Sequence, residues 1–246
     1  AHINGQGTAK NPIKGVELYQ AAVERGNASA MVSLGYLYET GKVVRTDKAK
    51  AFDLYSQAAN AGNIGGMRNL AFAYRDGDGV KRDFRKAAEW FERAAKLGDG
   101  RAMASLANLY RRGEGVARDY DEMLRWIRAA IDAGDTYGYT AMGEAYHNGQ
   151  GVPEDLGQAI QWWEQGAAKG DGVSAAQLAR LYLDGRGVTQ NFNRAADFLV
   201  QARDADSGAT WTDTGLSLRD DSKRRLDDLI AERSITDAAV LRRVKG

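Results

Sequence analysis

Reactive side chains are few in this sequence. His2 and His147 are its only histidines, and it has no cysteine. His147 stands three residues after Glu144, which puts both on one face of a helix, the spacing of a proton relay or of half a metal site. A zinc ion needs a full set of protein ligands, and no second histidine or cysteine accompanies His147 in the patterned part of the chain. Serine nucleophiles of the Ser-His-Asp type sit on a strained strand-to-helix turn, and no such turn is written here. Glycine-rich stretches such as Gly113-Glu114-Gly115-Val116 lack the Gly-Lys-Ser/Thr ending and the preceding strand of a phosphate-binding loop. Carboxylate pairs are those of any charged helix face, with no apolar setting to raise a pKa. Thiol chemistry and disulfides are excluded outright, no metal or cofactor is implied, and the chain is expected not to be an enzyme. His147 and Glu144 are then candidates for an interface.

The elements that carry these residues follow from composition and spacing. Of 246 residues, 43% are hydrophobic and 27% charged, the balance of an ordinary folded chain. Thirty-four Lys and Arg against 33 Asp and Glu leave a net charge of +1, so there is no global attraction to nucleic acid or to a membrane surface. No apolar run approaches the roughly 20 residues that span a bilayer. Two prolines and 29 glycines form an unusual pair: helices are left unbroken while something demands glycine repeatedly.

That demand is periodic. Glycines 26, 62, 98, 134 and 170 stand 36 residues apart, and the same step relates Gly41, Gly77, Gly113, Gly149 and Gly185. Val44, Val80, Val116, Val152 and Val188 form a column, as do tyrosines 38, 74, 110, 146 and 182. Leu34, Leu70, Leu106 and Leu178 share a slot that Met142 fills in the fourth copy. A period of this length indicates a solenoid of stacked helix pairs. In the first helix of each pair, Ala102, Met103, Leu106, Leu109 and Tyr110 follow the spacing of one apolar face. In the second, Trp90 and Phe91 lie between the small Ala87 and Ala94, and the Trp90, Trp126 and Trp162 column is expected to pack between helices, with Trp163 also in the core. Gly113 should end the first helix in a left-handed conformation, Val116 plug the turn, and Asp119 cap the second helix with Glu122 completing a capping box. Asp47, Asp83, Asp155 and Asn191 take the same cap position.

Five copies are expected over residues 27–206, preceded by a capping helix over 11–26. The pattern breaks after about residue 205, with Thr214 and Leu218 in the leucine and tyrosine columns; residues 207–246 are expected to form divergent C-terminal capping helices. Trp211 lies in that stretch, and Arg242, Arg243 and Lys245 make its last turn basic. Residues 1–10 are expected to be a disordered N-terminus or vector-derived. The start at Ala1 fits a removed signal peptide equally well, and a periplasmic or secreted location is the expectation, with a cytoplasmic one still compatible.

The order Leu-Gly-x-x-Tyr, then Gly-x-Gly-Val-x-x-Asp, then a helix ending Ala-Ala-x-x-Gly, resembles the Sel1-like repeat, a relative of the tetratricopeptide repeat. Leu34-Gly35-Tyr36-Leu37-Tyr38 and Gly149-Gln150-Gly151-Val152-Pro153-Glu154-Asp155 carry the resemblance most closely, and Val43 departs from it where later copies have glycine. The slot of Gly35 is always small, with Ala71, Ala107, Gly143 and Ala179 in the other copies. The resemblance implies an all-α, right-handed α/α superhelical solenoid without catalytic activity. It implies binding of another protein, as an adaptor or as a dedicated inhibitor of one partner such as an immunity protein or a periplasmic regulator of a sensor.

By the same resemblance, the concave face collects fixed positions around the leucine column of each first helix. These include Tyr36, Arg68, Asn69, Phe72 and Arg75 from the first two copies, and Arg101, Asn108, Arg111 and Arg112 from the third. Tyr137, Thr140, Glu144 and His147 come from the fourth, and Arg180 from the fifth. Guanidinium groups match carboxylates in bidentate fashion, so the expected partner is a protein presenting an acidic or extended segment. Asp76, Glu144 and Asp184 interrupt the arginines, which disfavours nucleic acid.

Overall fold

Helices of thirteen residues recur with the sequence period. The computed structural model of the chain describes residues 11–205, 218–232 and 234–245. It divides into two compact units, one ending at Trp126 and the other beginning at Ile127. The first unit holds α1 (Pro12–Glu24), α2 (Ala28–Thr40), α3 (Lys48–Asn60), α4 (Ile64–Asp76), α5 (Phe84–Lys96) and α6 (Gly100–Arg112). The boundary falls inside α7 (Tyr120–Asp132). The second unit continues with α8 (Tyr137–Asn148), α9 (Leu156–Ala168), α10 (Gly172–Asp184), α11 (Phe192–Asp204), α12 (Leu218–Ala231) and α13 (Ala238–Lys245).

In the first unit each helix from α1 to α5 packs on its successor, and α2 also touches α4. In the second, α8 to α11 do the same, α8 touches α10, and α12 and α13 pack on α11. The result is an all-α, repeat-packed helical solenoid. First helices of successive repeats therefore meet on one side of each unit, and that side is built from the positions around the leucine column.

Local chemistry explains the regularity. Gly41, Gly77, Gly113, Gly149 and Gly185 end the first helices with φ between +63° and +79°, a region closed to most side chains. The loop then returns so that the N–H of Asp47, Asp83, Asp119, Asp155 and Asn191 donates to the carbonyl of the tyrosine column at 2.8–3.1 Å. The side chain of each of these five residues accepts from an amide in the first turn of the next helix. Glu122 does not complete a capping box. The Asp119 amide is already taken by the Tyr110 carbonyl, and the Glu122 carboxylate accepts from Arg125 instead. Asp119→Ala should accordingly lower stability by about 1 kcal/mol, whereas Glu122→Gln should change it by less than about 0.5 kcal/mol, as an exposed ion pair does; urea denaturation of both variants checks this.

The core lies one column beyond the repeating tryptophan. Tyr55, Phe91, Ile127, Trp163 and Leu199 are all at most 2% exposed, whereas Trp90 and Trp162 are half-buried and Trp126 is buried. The small slot of the first helix faces that column: a Cβ on Gly35 would meet the Tyr55 ring at 2.6 Å, and one on Gly143 would meet Trp163 Nε1 at 2.3 Å. Val43, the exception in the first loop, packs against the cluster formed by α1 to α3.

At the C-terminal end the Asn193 side chain ties the start of α13 to α11, accepting from the amides of Thr236 and Asp237 and donating to Thr236 Oγ1. Arg243 pairs with Asp197 on α11. Trp211 and Thr214 lie outside the described residues, as do residues 1–10.

Candidate functional site

A groove of about 560 Å³ opens on the first-helix side of the first unit. Val32, Ser33, Tyr36, Leu37 and Glu39 come from α2, and Arg68, Asn69 and Phe72 from α4; Tyr19 of α1 and Arg101 of α6 also line it. Of the sequence-predicted residues, the structure brings Tyr36, Arg68, Asn69, Phe72 and Arg101 together here. Tyr36 is 46% exposed, and its hydroxyl accepts from Lys42 Nζ at 3.3 Å. Phe72 sets its edge against Phe91, ring centroids 5.0 Å apart, so its position is held from beneath.

The charges in the groove differ in how far they are committed. Arg68 forms an ion pair with Asp99 at 2.5 Å, and Asp99 also caps α6. Arg68 therefore joins one repeat to the next before it offers anything to a ligand. Glu39 accepts from the buried Tyr55 hydroxyl at 2.5 Å. Burial first, and that hydrogen bond second, raise the Tyr55 phenol well above its usual pKa. Arg101, by contrast, is exposed, its guanidinium 5.7 Å from the Phe72 ring centre, and among the described residues no carboxylate lies within ion-pair distance of it. Asn69 is half-buried, and its amide has no hydrogen-bond partner among the described residues.

The other predicted residues lie elsewhere. Arg75 stacks over Phe72 at 4.7 Å and makes a bidentate pair with its neighbour Asp76. Arg111 donates to Asn108 Oδ1, and Arg112 pairs with Glu114; none of these three lines the groove. In the second unit, Tyr137 is 40% exposed in the first turn of α8, and Arg180 is exposed on α10. Glu144 is half-buried and engaged with other groups. The His147 ring lies 5.7 Å from the Trp163 indole and packs against it. Among the described residues no group of three or more His, Asp or Glu could hold a metal ion.

One register position differs from expectation in the third to fifth copies, while Val32 and Arg68 hold it half-buried in the groove in the first two. Two residues before the leucine column, Ala104, Thr140 and Ala176 are buried rather than presented on the face. The reason is visible at Thr140, whose hydroxyl donates to Asp171, the cap of α10, and lies 2.8 Å from Ser174 Oγ. Arg68 occupies the same slot and reaches Asp99 in the same way. These first-helix caps, Asn27, Asn63, Asp99 and Asp171, escape sequence reasoning centred on the second helices. Their signal was the polar residue after each of Gly26, Gly62, Gly98 and Gly170. Tyr19 also escapes it, because α1 has no first-helix partner in the periodic pattern.

Stacked helix pairs with a surface groove make up a repeat module for protein–protein interaction. The chain belongs to the Sel1 repeat family: the family's repeat model matches residues 1–27, 28–63, 65–99, 100–135, 136–171 and 172–207. No curated protein matches it in sequence. Among solved structures it is similar to a Sel1 repeat protein from Oxalobacter formigenes, with 29% identity, 90% of each chain covered and a TM-score of 0.70. It is similar to c5321, a protective antigen present in uropathogenic Escherichia coli strains, at 27% identity and a TM-score of 0.70. That match covers 99% of this chain and 51% of the other, so the chain spans about half the length of that protein. The immunity protein Pa5087 from Pseudomonas aeruginosa shares the fold, with 24% identity, 86% of this chain and 79% of the other covered, and a TM-score of 0.60. No helix among the described residues is long and apolar enough to cross a membrane.

Proposed function

We propose that the chain is a dedicated binding protein for a single protein partner, and that it grips an extended, carboxylate-bearing segment of that partner in the groove between α2 and α4. The observation that carries this reading is the half-buried Asn69 amide, unpartnered among the described residues, in a groove that Tyr36, Phe72 and Arg101 also line. A free amide offers one donor pair and one acceptor, the complement of a peptide backbone. The exposed Tyr36 ring and the half-buried Phe72 ring supply contact area at low entropic cost, and an arginine without a carboxylate among the described residues is ready for a bidentate one. Inhibition is the mode to test first, ahead of an adaptor that bridges two proteins, because an immunity protein is built on the same fold.

The test uses the wild-type chain and its Asn69→Ala/Arg101→Glu variant as paired baits. A protein retained by the first and lost by the second should bind one to one in calorimetry, and its activity should fall stoichiometrically as the chain is added. Affinity should drop at least about 30-fold in the variant, since one lost hydrogen-bonded group and one reversed charge are each worth about 1–3 kcal/mol at an interface. Equal retention by both baits would remove the groove from the mechanism, and a partner that stays fully active when bound would remove inhibition.

A further inference from the structure

The net charge of +1 conceals an uneven distribution. Residues 1–126 contain 20 Lys and Arg against 15 Asp and Glu, and residues 127–246 contain 14 against 18. Much of the excess lies where the first three loops feed their second helices. These loops stack on one edge of the first unit. A Cβ on Gly79 would fall 2.1 Å from the Lys48 carbonyl oxygen, and one on Gly115 would fall 2.2 Å from that of Phe84, so each loop rests on the start of the preceding second helix. Lys48 pairs with Asp78 across the first of these contacts.

Most other cations on this edge have no carboxylate. Arg45, Lys81 and Arg85 are exposed and have no ion-pair or hydrogen-bond partner for their side chains among the described residues. Lys50, Lys86, Arg82 and Arg118 each lie over a nearby ring: Tyr38, Tyr74, Phe84 and Tyr120, at 4.4–5.9 Å. The slots of Arg45, Lys81 and Arg82 hold Pro153, Glu154, Thr189 and Gln190 in the fourth and fifth copies, so repeat architecture does not require the charge.

We propose that this loop edge is an electrostatic docking surface for an anionic lipid bilayer. The edge presents a row of cations interrupted by the exposed caps Asp47 and Asp119, and among the described residues no exposed large apolar side chain, so it lacks the anchor around which a protein interface is organised. Its rings are already covered by cations of their own repeat, which leaves no open platform for stacking nucleic-acid bases. A surface of diffuse negative charge needs neither feature: clusters of roughly four to eight Lys and Arg suffice to hold a protein at an anionic leaflet. The groove lies on the first helices and the cations on the loops, so one chain can hold a partner and rest on the bilayer together.

The experiment is sedimentation of the full chain with vesicles of phosphatidylcholine containing about 30% phosphatidylglycerol, against pure phosphatidylcholine, at low salt and at about 0.5 M salt, where charge is screened within a few ångströms. Binding is expected only to the anionic vesicles, with loss at high salt. Arg45→Glu/Lys81→Glu/Arg85→Glu should reduce the partition coefficient at least about tenfold, with the thermal unfolding curve unchanged. Asn69→Ala, a groove change of no net charge, should leave it as in the wild type, which separates this proposal from the one about the groove. Vesicle binding that survives the triple substitution or high salt, or tighter binding of an RNA or DNA duplex than of the vesicles at the same salt, would overturn it.

Discussion

Replacing Gly79 with alanine should destabilise the protein by about 2–5 kcal/mol, combining a left-handed backbone cost of about 1–2 kcal/mol with overpacking of about 1–3 kcal/mol. Gly79 has φ +72°, and an added Cβ would stand 2.1 Å from the Lys48 oxygen and 2.8 Å from the Ala49 nitrogen. Both are backbone atoms at the start of α3, so nothing flexible can give way. Gly98 is the control. Its φ is +91°, yet no atom lies within 4 Å of the position its Cβ would occupy. Gly98→Ala should therefore show only the backbone cost, about 1–2 kcal/mol. Urea denaturation of both variants measures the difference, and equal losses would refute the claim that loop two rests on α3 through Gly79.

Trp163→Ala should cost about 3–5 kcal/mol, the range for emptying a large buried aromatic site. The indole is 2% exposed, donates from Nε1 to the Thr140 carbonyl at 3.3 Å, faces Gly143 and supports the His147 ring. Trp162→Ala should cost about 1 kcal/mol, since that ring is half-buried against Tyr139, centroids 6.2 Å apart. Adjacent tryptophans thus differ severalfold in their expected contribution, and denaturation midpoints of the two variants measure it.

The pair also marks where sequence reasoning stopped. Trp90, Trp126 and Trp162 form the visible column, and a repeated tryptophan suggests the core. The deeper column holds five different residues, Tyr55, Phe91, Ile127, Trp163 and Leu199, so identity does not advertise it. Burial selects for apolar volume, which many side chains supply. Left-handed turns select strongly for glycine, and that is why the ends of the first helices were legible. The caps of the second helices were legible for a similar reason, because short side chains with an oxygen acceptor bond the first-turn amides best. Glu122 shows the limit: its spacing is that of a capping box, but the competing Tyr110 carbonyl comes from the preceding helix and is invisible in local sequence.

The candidate site divides along the same line. Resemblance to tetratricopeptide superhelices, applied in register with the leucine column, assigned Tyr36, Asn69 and Phe72 to the first-helix side, and helical period carries such an assignment from copy to copy. It could not tell Arg68 from Arg101. Both are arginines expected on the same face, yet Arg68 is spent on Asp99 and Arg101 has no carboxylate partner among the described residues.

The chain by itself determined the helical repeat, its punctuation by glycine and aspartate, and the absence of thiol chemistry, because each depends on backbone conformation or on residue type within a few positions. Tertiary structure decided which arginines are occupied, that Thr140 is buried on Asp171, and that three basic loops share one edge. Those outcomes depend on contacts between repeats some 30 residues apart, where a side chain's partner is set by the packing of helices rather than by its neighbours in sequence.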